Sequence, residues 1–314
     1  MLEIVYENEN RTCGSVESLL PELEEWLAQG NVILPAHPPG YPDRLKAPAY
    51  LDHALCKQPT DDHLVWRYMS FEQLAILLAK RALWFTRCVN FQKDDPYEGT
   101  HSDPLRSLLD QNPAVSYGDL PGFSEAQKAL IAGQAERSYE VFLRSLVGCF
   151  NLAQHESNAM WHVYGKGDNC IAITTTLGSL KKAFGPYTSY DVHIGQIEYI
   201  DHKTAPMAPD NFLVPLLYKA QFYEFEHELR CLIVDAGDNE LFDENEPDPR
   251  DLLGSGVTRE FAPGCYVQMD LGELLGEIVI GPRSAPWFAD AVSAMLKAFQ
   301  MDVPIRKSKL FSRA

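Results

Sequence analysis

The stretch Tyr218–Val234 reads YKAQFYEFEHELRCLIV, and its second half alternates in chemical character. Glu226, Glu228 and Arg230 fall at every second position, with Leu229, Cys231 and Ile233 between them. Successive side chains of a β-strand point to opposite faces, so this spacing predicts a strand with two carboxylates and one guanidinium on a single face. Leu229, Cys231 and Ile233 take the other face, and Leu232 and Val234 continue the strand where both sides become buried. Such a row beside a core strand is either a structural ion-pair ladder or a catalytic face.

The flanking sequence supplies the sheet that this strand would join. In Leu64–Met69, Leu64, Trp66 and Tyr68 alternate with Val65 and Arg67, as in a strand. Ser70 is a good helix N-cap, and Phe71, Leu74, Leu77 and Leu78 form one apolar helical face. Leu83–Thr86 then reads as a second strand, giving strand–helix–strand. Further strands are expected at Ser145–Phe150, Cys170–Thr176, Val192–Ile200, Cys265–Met269, Glu277–Ile280 and near Val303–Arg306. Short helices are expected within His155–Gly167, where Met160, Trp161 and Tyr164 have helical spacing, and at Ser179–Phe184. A longer one is expected over Ala285–Phe299, and residues 104–145 read as helical, broken at Asn112–Gly122. Strands with helices between and beside them imply one α+β domain over residues 63–314, a mixed central sheet with flanking helices. Residues 1–62 read as an N-terminal extension. A short helix with Leu20, Leu23, Trp26 and Leu27 on one stripe ends at Gly30, and the prolines of Pro35–Pro48 then exclude regular structure.

Composition narrows the function classes. The chain of 314 residues is 46% hydrophobic and carries a formal charge of −17. That charge opposes non-specific binding to nucleic acid or anionic lipid. No apolar run approaches the roughly 18 residues of a spanning helix, so no membrane partner is expected. The 7 cysteines are scattered without a C-x-x-C pair, which reads as a reducing, cytoplasmic setting without disulfides. Cys149, Cys170, Cys231 and Cys265 lie in apolar sequence. Nothing in the sequence reports the oligomeric state.

Two segments concentrate acids. Asp235–Asp251 reads as a solvated loop. Asn90–Asp103 contains Asp94, Asp95, Glu98, His101 and Asp103, which could gather around a cation. The same residues also fit turn and helix-cap roles, and no second His or Cys within the loop favours the metal.

Several phrases in order resemble a bacterial and phage family of domains of unknown function. They are Trp66-Arg67-Tyr68 before a helix, an F-N-D-P-F-E-like turn at Phe91–Glu98, and Cys149-Phe150-Asn151 followed by Met160-Trp161-His162-Val163-Tyr164-Gly165. Lys219 with Glu226–Arg230, Ile278–Pro282 and Val303–Ser308 complete the set. The resemblance spans about Leu64 to Leu310. The chain departs from it at Lys93–Pro96, where a residue is inserted, and at Asn151, where the family has Ser.

The order of chemistry is also similar to ADP-ribosyltransferase-like folds, which place an Arg or His, then a Ser or Thr, then an E-x-E on successive strands. That similarity implies a small-molecule or nucleotide ligand, NAD, with Glu226 and Glu228 catalytic. Arg67, Tyr68, Thr86, Trp161 and Tyr164 would contact the cofactor, and Asp95, Glu98 and Arg230 would stand nearby. A fixed carboxylate can stabilise the cation formed as the nicotinamide–ribose bond breaks, and a guanidinium can fork onto a diphosphate. Two other readings compete. One is a metal-dependent phosphodiesterase or nuclease using Asp94, Asp95, Glu98, Glu226 and Glu228. The other is a non-catalytic ligand-sensing or interaction module walled by Trp84, Trp161 and Tyr164. In a purely structural reading, Glu228 pairs with Arg230, and Arg67 with Asp95 or Glu98.

Overall fold

The computed structural model describes residues 32–34, 53, 55–103, 141–185, 191–205, 213–233 and 263–310. The expected helices near Leu20–Gly30 and across most of 104–145, and the acidic stretch after Ile233, lie outside the described residues. In chain order the elements begin with β1 (Val32–Leu34), β2 (Leu64–Ser70), α1 (Phe71–Lys80), β3 (Ala82–Arg87), β4 (Leu146–Leu152), α2 (Asn158–Tyr164) and β5 (Cys170–Thr176). They continue with α3 (Leu177–Ala183), β6 (Val192–Gln196), β7 (Glu198–Ile200), β8 (Tyr218–Ala220) and β9 (Glu228–Ile233). Last come β10 (Gly264–Gln268), α4 (Leu271–Leu274), β11 (Glu277–Ile280), α5 (Phe288–Ala298) and β12 (Ile305–Lys307). The protein is therefore α+β, with a mixed, mostly antiparallel sheet flanked by helices. Among the described residues no helix is long and apolar enough to cross a membrane.

The strand–helix–strand unit forms for local reasons. Ser70 and Gln73 make a reciprocal capping box that satisfies two backbone N–H groups at the start of α1. Glu72 and Lys80 complement the helix dipole at its two ends. Leu74, Ala75, Leu77 and Leu78 are buried on one face, and Arg81 turns the chain in the left-handed region.

The principal sheet of 10 strands runs β1-β10-β3-β4-β2-β5-β11-β12, with β9 on the other edge of β4 and β6 beyond it. One edge of β4 is shared. Its first residues pair with β3 (Thr86 with Val147) and its last with β2 (Trp66 with Asn151), so the sheet forks between β2 and β3. The N-terminal extension contributes β1, which pairs in parallel with β10. At Val32–Leu34 the extension thus joins the sheet.

Strand β9 sets the register. Leu229, Cys231 and Ile233 enter the main core with Leu78, Phe85, Ile171, Ile278 and Phe288. Leu232 joins a second cluster on the opposite face with Val147, Phe142 and Leu216. Burying each large aliphatic side chain contributes about 1.5–3 kcal/mol. A one-residue slip would exchange the faces and drive Glu228 and Arg230 into that core.

The row of three charges is only partly a strand feature. Glu226 ends a 3-10 turn over Gln221–Glu226, His227 adopts the left-handed conformation (φ 39°), and β9 begins at Glu228. The alternation predicts an extended backbone through 226, but Glu226 reaches the same face from the preceding turn.

Candidate functional site

Among the described residues, the fork between β2 and β3 leaves the middle of one β4 edge without a strand beside it, and Arg67 lies there. Its Nη1 donates to the Cys149 carbonyl at 3.0 Å and its Nη2 to the Trp84 carbonyl at 3.2 Å. The guanidinium also stacks 5.6 Å from the Phe150 ring centroid. Two of its five donors are thereby used. No carboxylate partners it among the described residues, so the expected pair with Asp95 or Glu98 does not form. Burial lowers its pKa from the ordinary value. By strand alternation Arg67 starts on the face opposite Trp66 and Tyr68, and its side chain returns through the fork.

Opposite it lies a chain of alternating charges. Arg230 is 1% exposed and grips Glu98 with both terminal nitrogens, at 2.5 and 2.8 Å. Its Nε donates to Glu228 Oε1 at 2.7 Å, and Nη1 also reaches the Leu216 carbonyl. Lys219 Nζ bridges Glu228 Oε2 (3.2 Å) and Glu226 Oε2 (2.5 Å). At the far end the Tyr164 hydroxyl donates to Glu226 Oε1 at 2.7 Å. Three carboxylates thus meet two cations, all buried.

The electrostatics follow from that order. Burial alone would raise the Glu228 pKa, but Arg230 and Lys219 outweigh it and hold the carboxyl at about 2. Burial would lower the Lys219 pKa, yet Glu228 and Glu226 raise it, so the amine stays charged. Burial and the adjoining Glu226 push the Tyr164 phenol well up, which keeps it a donor. Cys149, expected in apolar surroundings, faces this row across the strand pair, and burial together with Glu228 raises its thiol pKa.

The turn before β4 supplies Glu98. The chain from the 3-10 turn at Cys88–Lys93 folds back so that Asp95 Oδ1 accepts from the Tyr97 amide at 2.9 Å. Gly99 follows with φ +66°, and a Cβ there would lie 2.0 Å from the Phe142 ring, so only glycine fits. This compact turn aims Glu98, 0% exposed, inward at Arg230.

These parts enclose a cleft of about 640 Å³. It brings together Arg67, Tyr68, Thr86, Tyr164, Asp95, Glu98, Glu226, Glu228 and Arg230, although they come from separate segments of the chain. Trp84, Phe91, Tyr223, Phe225 and Tyr266 add an aromatic wall. Thr86 accepts from the Trp84 indole at 3.1 Å. Tyr68 contributes its ring, while its hydroxyl accepts from the Ser157 amide.

Trp161 is the exception. It is 4% exposed, packs edge-on behind Tyr68 at 4.9 Å and donates to Glu156. It belongs to the layer supporting the wall, because helical spacing turns Met160 and Trp161 into the core while Tyr164 reaches the mouth. Lys219 and Asn151 also belong to the site, although the sequence marks them only as parts of family-like phrases. Asn151 donates to the Glu226 carbonyl at 2.6 Å. The signal for Lys219 was its place in the family-like phrase; nothing in its neighbours marks it as a bridge.

Of the carboxylates a magnesium site would use, Glu98, Glu226 and Glu228 are engaged by Arg230 and Lys219, while Asp95 Oδ1 accepts from the Tyr97 amide. Among the described residues no three His, Cys, Asp or Glu side chains converge as a metal-binding group. Compared with protein-family models, curated proteins and solved structures, the chain gives no significant match.

Proposed function

We propose that the cleft binds NAD and transfers its ADP-ribosyl group, with water or a second molecule as acceptor. The observation that carries this reading is the meeting of Arg67, a guanidinium without a carboxylate partner among the described residues, and the Glu226–Glu228 carboxylates in one aromatic-lined cleft. NAD is complementary to that polarity. Its diphosphate suits the free donors of Arg67, its rings suit Trp84, Phe91 and Tyr223, and its cationic nicotinamide ribose suits the carboxylate end. The motif order Arg67, Thr86, Glu226-x-Glu228 adds support through its similarity to ADP-ribosyltransferase-like folds.

The chemistry asks little of the protein beyond placement. As the nicotinamide–ribose bond breaks, its electron pair leaves with the ring nitrogen and positive charge develops on the sugar. A carboxylate held ionised in a site shielded from water stabilises that charge where it develops. The ladder supplies the rigidity, since Arg230 and Lys219 fix the acids before the ligand arrives.

The test is nicotinamide release from NAD by purified protein, followed by chromatography. Release by the wild type, reduced at least tenfold in Arg67→Lys, supports the reading, because a lysine cannot both bridge the fork and hold a diphosphate. Absence of release and of NAD binding by the wild type overturns it.

A further inference from the structure

The carboxylates that line this cleft differ in their surroundings. Glu228 is held by a guanidinium on Oε1 and by both Arg230 Nη2 and Lys219 on Oε2, so two cations compensate one charge. At the opposite end of the chain of charges, Glu98 gives both oxygens to Arg230 and is wholly buried. Glu226 has one shared cation, Lys219, and one neutral donor, Tyr164. Glu226 thus lines the cleft wall with one shared cation and one neutral donor, whereas Glu98 and Glu228 are both held by Arg230. The Tyr164 that it holds is 36% exposed, at the mouth of the cleft.

Resting on the reading above, we infer that Glu226, not Glu228, is the carboxylate that works on the ligand, and that Lys219 and Tyr164 are its positioning residues. Glu226 stands outside the strand, at the end of a 3-10 turn and before the left-handed His227. Glu228 is locked into β9 and cannot shift without dragging Arg230 from Glu98. When the nicotinamide–ribose bond breaks heterolytically, neutral nicotinamide leaves with the bonding pair and the ribose C1′ becomes cationic. The Glu226 carboxylate faces that cation. Water then forms the new C1′–O bond and gives a proton to Glu226, which passes it to solvent. The products are ADP-ribose, nicotinamide and one proton. Lys219 and the Tyr164 hydroxyl each hold one Glu226 oxygen and so fix how the carboxylate faces the ligand.

The experiment compares Glu226→Gln, Glu228→Gln and Lys219→Arg with the wild type by thermal unfolding, NAD titration calorimetry and nicotinamide release across pH. Glu226→Gln is expected to melt within about 3 °C of the wild type and to bind NAD within about threefold, because Lys219 keeps its bridge to Glu228 and the amide retains hydrogen-bonding groups in the same shape. Its release rate should fall at least a hundredfold and lose its acid limb, the mark of a carboxylate that must be ionised. Glu228→Gln should melt well below the wild type, with its folded fraction retaining at least ten times the rate of Glu226→Gln. Lys219→Arg, which keeps the charge but moves the bridge to Glu226, should lower the release rate with little change in KM, a split that a merely structural contact would not give. A folded Glu226→Gln retaining more than a tenth of the wild-type rate overturns the inference alone, as does a stable, NAD-binding, inactive Glu228→Gln. A wild type that neither binds nor cleaves NAD overturns the inference together with the reading beneath it.

Discussion

Arg230 holds Glu98 through two parallel hydrogen bonds, although 132 positions separate them in the chain. The pair ties the turn before β4 to the strand that carries the charge row, and it lies almost wholly out of water. Removing one partner of a buried pair leaves the other charge uncompensated, at a cost of about 3–5 kcal/mol. Glu98→Gln is therefore expected to lower the urea midpoint by a corresponding amount without a change in slope. An unchanged midpoint would mean that Arg230 is satisfied by Glu228 and the Leu216 carbonyl alone.

His202 makes stability pH-dependent. It is 3% exposed, stacks on Tyr97 at 5.0 Å, and has no hydrogen-bond partner on either ring nitrogen among the described residues. Burial lowers its pKa, against the pull of Asp95, Asp103 and Asp201. The unfolded chain thus takes up the proton first as pH falls. Stability from this site is complete above the unfolded value of about 6.5 and is lost as pH drops below it. Urea unfolding at pH 7.5 and 5.5 should show that loss, and His202→Phe, which keeps the stacking, should flatten it.

Glu228 titrates in a separate window. Its folded pKa of about 2 lies below the ordinary 4.5, so its contribution is present above 4.5 and disappears as pH falls toward 2. The size is about 3 kcal/mol. Acid unfolding of Glu228→Gln should lack that part of the transition.

Trp161 supports the wall without touching the cleft. Trp161→Phe is expected to cost about 1–2 kcal/mol through lost packing on Tyr68 and the lost bond to Glu156, with NAD affinity unchanged within twofold. A large change in affinity at constant stability would return Trp161 to the site.

The fold was legible because its signals are local. Alternation in β2 and β9, the Ser70–Gln73 cap and the apolar stripe of α1 each depend on residues within a few positions. The site was legible as a set of residue types and not as a set of partners. Glu226 broke the strand pattern because His227 turns the chain, which a glutamate at period two does not reveal. The Glu98–Arg230 grip joins a turn to β9 across 132 positions, and the Arg67 bridge depends on the fork between β2 and β3, where among the described residues no strand pairs the middle of that β4 edge. Lys219 carries no periodic signal. Its role exists only because Glu226 and Glu228 arrive on either side of it.

In the proposed reading, Arg67 and the carboxylate row act on one ligand. Titration calorimetry with NAD, ADP-ribose and nicotinamide on the wild type and Arg67→Lys tests it most directly. Saturable binding of NAD and ADP-ribose is expected, weakened at least tenfold by Arg67→Lys, with nicotinamide affinity unchanged. Equal weakening of all three ligands by Arg67→Lys, or no heat from NAD with the folded wild type, would contradict it.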